Sequence, residues 1–60
     1  MIKHRFLVVA INSEGKMVSS SYIGVDIVQV ILEYRKLGCN PHSIIQAEQV
    51  HADTPIGIER

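Results

Sequence analysis

The sequence predicts a small α+β domain of topology β-β-α-β. A three-stranded sheet in the order 2-1-3 carries one helix across one face, and the domain oligomerises through surplus apolar surface. Three observations carry this expectation. A β-branched apolar run, Phe6 to Ile11, precedes a glycine-bearing turn. Apolar spacing changes to a helical period after Gly24 and stops at Gly38. A third, more polar segment follows Pro41 and suits a sheet edge.

The first strand runs from Ile2 to Ile11. Its alternating faces are Phe6, Val8, Ala10 and Leu7, Val9, Ile11, and both are apolar. A strand with one face in water alternates apolar with polar, so this strand is expected to be covered on both sides. Asn12-Ser13-Glu14-Gly15-Lys16 is the turn, with Gly15 in the left-handed conformation as a G1 bulge. That register pairs Ala10 with Val18, Val8 with Ser20 and Phe6 with Tyr22; a two-residue loop at Glu14-Gly15 is the competitor and turns every partner to the other face. Met17 to Ile23 forms the second strand, thinly packed at Ser19-Ser20-Ser21.

Asp26 is placed to cap a helix that runs to Leu37 and stops at Gly38-Cys39-Asn40-Pro41. At 100° per residue Ile27, Val30, Ile31, Tyr34 and Leu37 form one stripe, widened by Val28 and Leu32. One small sheet does not cover so wide an arc. Ser43 to Val50 reads as the third strand, reached by a right-handed crossover and lying beside the first. Residues 1–50 are thus expected as the domain, and 51–60 as a tail that is mobile or docks on a partner.

Composition bounds the function. Sixty residues bury only about 60% of their unfolded surface, which leaves such a chain marginal alone. Cys39 is the single cysteine, so no disulfide framework supplements the core. Apolar residues make up 47% of the chain, too many for a disordered segment. Six Lys and Arg balance six Asp and Glu, which removes the electrostatic footprint of a general nucleic-acid binder. The basic cluster Lys3-His4-Arg5 before an apolar run imitates a signal peptide, but the run ends at Asn12 without a small-residue cleavage site. No stretch approaches a membrane span, and a free thiol fits a reducing compartment, so the chain is expected to be cytoplasmic.

Leu7, Val9, Ile11, Val28 and Leu32 are the expected intermolecular contacts, with Tyr34 and Arg35 as rim anchors. A two-fold homodimer is the default assembly. The leading function is a non-catalytic adaptor or inhibitor that binds another macromolecule, of the kind common in phages and mobile elements. Lys3 and Arg5, brought together on paired first strands, offer an alternative β-ribbon nucleic-acid binder, disfavoured by the balanced charge. Cys39 and His42, with His51 and Asp53, are weak zinc candidates in an oligomer that binds a metal or small molecule between subunits. The bland reading of Cys39, a small hydrophobe past a helix end, is preferred. No cofactor is expected, and no catalytic set is evident: nothing orients Cys39, His42 or the serines as nucleophile and base.

Overall fold

A computed structural model describes residues 2–59. Met1 and Arg60, the outer ends of the two expected segments, lie outside these residues. In chain order the elements are β1 (Lys3–Ile11), β2 (Met17–Gly24), α1 (Ile27–Lys36), β3 (Asn40–Val50) and β4 (Gly57–Ile58). The sheet is antiparallel in the order β3-β1-β2-β4.

The hairpin follows the three-residue-loop register, with Ala10 opposite Val18, Val8 opposite Ser20 and Phe6 opposite Tyr22. Gly15 has φ of 80°, a conformation that costs a residue with a Cβ. Asn12 locks the loop from its other side: its Oδ1 accepts from the N–H groups of Glu14 and Lys16 at 2.9 and 3.0 Å. A short polar side chain that bonds its own backbone is the usual chemistry of such turns.

Helix α1 is closed at both ends. Asp26 Oδ1 accepts from Gln29 N–H at 2.8 Å, and Gln29 Oε1 in return accepts from Val25 N–H at 2.8 Å. At the far end Cys39 N–H donates to Tyr34 O at 2.9 Å and Gly38 N–H to Arg35 O at 3.1 Å, the paired bonds of a Schellman stop. The helix lies on the Phe6, Val8, Ala10 face of β1. With Tyr22, Val30 and Tyr34 these residues make the core, and Cys39 and Ile44 pack against it.

Two features depart from expectation. The sheet has four strands rather than three, the fourth coming from the segment read as a tail. Ile58 pairs with Tyr22 and Gly57 with Ile23, and Glu59 N–H donates to Ser21 O at 2.8 Å. A strand of two residues has no apolar alternation, so its docking leaves no periodic signal in the sequence. Strand β3 also begins at Asn40 rather than Ser43. Pro41 is accommodated because β3 is an edge strand with a free outer side. The β1–β3 ladder shifts register between His4 and Phe6 and again between Val9 and Ala10.

Candidate interaction surfaces

Side chains directly opposite across a ladder share a face, so the pairing fixes what lines the sheet side away from the helix. Arg5 lies beside Ile23, Leu7 beside Ser21, Val9 beside Ser19 and Ile11 beside Met17. On the other flank Leu7 lies beside Ile45 and Val9 beside Ser43. Leu7 and Ile45 are 46% and 58% exposed. They stand over a groove of about 450 Å³ whose other walls are Val9, Ser19, Ser21 and Ser43.

Among the described residues the chain covers one end of this face. Residues 54–59 lie against Ile23, which is 2% exposed. Lys3 Nζ donates to the carbonyls of Ala52 and Thr54 at 2.8 and 2.9 Å. Arg5 meets Glu59 at 2.6 Å and Glu48 at 2.8 Å. The hydrogen bonds to Glu59 and then Glu48 raise the guanidinium pKa above its ordinary value. The same contact with Arg5 holds the Glu59 carboxyl below the usual range, and Glu48 is lowered first by its own backbone N–H and then by Arg5.

The helix presents a second apolar surface. Val28 and Leu32 are 59% and 54% exposed. Each is two residues from buried Val30, so each points about 160° away from it around the helix. Leu7, Val9 and Ile11 therefore face one side of the molecule, and Val28 and Leu32 face the other. The residues expected in a single interface thus fall into two separate apolar patches.

No family model matches the chain, and no curated protein or solved structure matches it either.

Of the expected rim anchors, Arg35 is exposed on the helix, whereas Tyr34 is 3% exposed and belongs to the core. Its ring packs 6.0 Å from that of Tyr22, and its hydroxyl hydrogen-bonds Ser20 Oγ. A tyrosine is buried readily when its O–H finds such a partner. Burial, followed by the charge of Glu33, raises the Tyr22 pKa.

The zinc candidates are not brought together. Cys39 packs against the core and His42 lines β3 near its start, while His51 follows its end. A strand rising ~3.3 Å per residue puts His42 and His51 roughly 30 Å apart. Among the described residues no cluster of His, Cys, Asp and Glu could hold a metal ion. His51 Nδ1 instead lies 3.5 Å from Asp53. Among the described residues no helix is long and apolar enough to cross a membrane.

Ile45 is the member of the open face that sequence reasoning missed. Ile44 and Ile45 are adjacent, and only the β1–β3 register decides that Ile44, opposite Val8, goes to the core and Ile45, opposite Leu7, to the open side.

Proposed function

We propose that the protein is a small non-catalytic interaction protein that pairs with a second copy through the open end of its sheet and acts on another macromolecule. The observation that carries this reading is the exposed pair Leu7 and Ile45 on a sheet face that residues 54–59 cover at one end only. The core is small: among the described residues seven buried apolar residues stand against eleven large hydrophobics that stay exposed. A standard interface takes about 800 Å² from each partner, about a fifth of the 4178 Å² surface here. Pairing thus adds burial on the scale that a short chain lacks. The floor suits a close approach, since Ser19, Ser21 and Ser43 are small and leave room beside Leu7 and Val9.

The nucleic-acid alternative loses its cations. Lys3 is committed to two backbone carbonyls and Arg5 to two carboxylates, so neither is free to neutralise phosphate. An adaptor or inhibitor of phage or mobile-element type remains the functional class proposed.

Light scattering at micromolar concentration tests the self-association. The expected mass is that of a dimer, reduced to a monomer by Leu7→Glu with the circular dichroism unchanged. A monomeric wild-type chain at that concentration overturns the homodimer.

A further inference from the structure

We propose that the groove between α1 and the start of β3 docks an acidic, apolar peptide segment of the target protein. This rests on the reading of the chain as an interaction protein, but the groove lies on the helix side of the sheet and shares only Ser43, on edge strand β3, with the groove of the proposed dimer contact.

The groove has a volume of about 240 Å³, with Ile27, Ile31, Pro41 and Ile44 as apolar lining and Arg35 and His42 beside them. Among the described residues no carboxylate lines it. The charge distribution makes that composition informative. The chain carries six acidic side chains, and every one is engaged elsewhere. Glu48 and Glu59 are on Arg5, Glu33 on Lys36, Glu14 near Lys16, Asp53 on His51, and Asp26 on the first turn of the helix. Among the described residues Arg35 alone of the lysines and arginines has neither an ion pair nor a hydrogen bond from its side chain.

An exposed guanidinium beside an apolar slot is complementary to a segment that presents apolar side chains together with carboxylates. Arg suits the task because its planar fork meets a carboxylate through two parallel hydrogen bonds. The contact area extends past the groove. Ile31 leads around the helix to Arg35, Val28 and Leu32, so a docked segment also covers the outer apolar arc. The slot is open and small for a free ligand, which favours side chains delivered by a longer chain over a small molecule.

Chemical-shift titration of the ¹⁵N-labelled full chain tests this with two probes, a short Leu/Glu peptide and its Leu/Lys counterpart. The Leu/Glu peptide is expected to shift the amides of Ile27, Ile31, Arg35 and His42. Arg35→Glu should weaken that binding at least about fivefold and turn the preference to Leu/Lys, while Arg35→Lys, which keeps the charge but loses the planar fork, should weaken it less and keep the preference for Leu/Glu. Arg35 is exposed, so neither variant disturbs the core. Equal binding of both peptides, no effect of Arg35→Glu, or shifts confined to Leu7, Val9 and Ile45 would each overturn the proposal. Groove binding should persist in Leu7→Glu. A wild-type monomer that still prefers the acidic peptide removes the dimer and leaves the groove, whereas a dimer indifferent to both peptides removes the groove and leaves the dimer.

Discussion

Arg5 holds Glu59 through two nitrogens, Nε to Oε1 at 2.6 Å and Nη2 to Oε2 at 3.0 Å, between residues 54 positions apart in the chain. This contact ties the last described residue to the central strand, with Glu48 on the same guanidinium from the other flank. Paired planar geometry of this kind fixes orientation as well as charge. It closes a segment whose only regular structure is the two-residue β4.

Glu59→Ala should therefore loosen residues 57–59 without unfolding the rest. Hydrogen exchange is expected to speed up at Gly57, Ile58 and Glu59 and to stay slow at Phe6 and Val8. Unchanged exchange in the variant would falsify the role of the ion pair.

The same contact predicts an acid transition local to β4. Glu59 is lowered by Arg5 from its ordinary value of 4.5. A depressed carboxyl contributes stability above its unfolded value and loses it as pH falls through the folded one. Docking of the segment should be complete above pH 4.5 and fade below it, read from the Gly57 and Ile58 amide shifts. Tyr22 behaves oppositely: its pKa is raised from 10.0 by burial, so its contribution is present below pH 10 and lost at higher pH. A segment that releases at neutral pH would contradict this assignment.

Gly24→Ala is expected to be among the more costly single-methyl additions. A Cβ there would stand 2.8 Å from Gln29 Oε1 and 2.9 Å from Tyr22 Cε1. The first is the atom that accepts from Val25 N–H at the start of the helix, and the second belongs to a ring in the core. Overpacking of this kind costs about 1–3 kcal/mol. Asp26→Ala, which removes the cap but adds no atoms, should cost about 1 kcal/mol. Urea unfolding of the two variants checks the order, and a Gly24→Ala protein as stable as wild type would show that Gln29 and Tyr22 relax freely.

How much of this was legible follows the range of each interaction. The hairpin register, the Asp26 cap and the Gly38 stop are set within a few residues by Asn12, Gly15, Gln29 and the backbone, and the sequence displays them. The place of β3 beside β1 follows from the shape of a β-α-β connection. What the sequence does not display is long-range and not periodic. Glu59 reaches Arg5 without any pattern in the intervening chain, and although Tyr34 shares the helical stripe of Val30, the sequence does not display that Ser20, on a different strand, meets its hydroxyl. The apolar excess was legible as a quantity. Its division between two sides was not, because that depends on which face of β1 the helix takes, and both are apolar.

That division gives the last prediction. Leu7 and Leu32 are similarly exposed, and either could be changed to Glu without entering the core. If surplus apolar surface drove association regardless of position, both substitutions would weaken it alike. The proposed dimer makes a different demand. Leu7 belongs to the open end of the sheet beside Ile45, while Leu32 projects from the helix on the far side of the core. A closed two-fold pair uses one patch of each copy, so Leu7→Glu should reduce the solution mass to the monomer and Leu32→Glu should leave it unchanged. Light scattering of the two variants at matched concentration separates the cases. A Leu32→Glu monomer beside a Leu7→Glu dimer would move self-association to the helix and free the sheet face for the target.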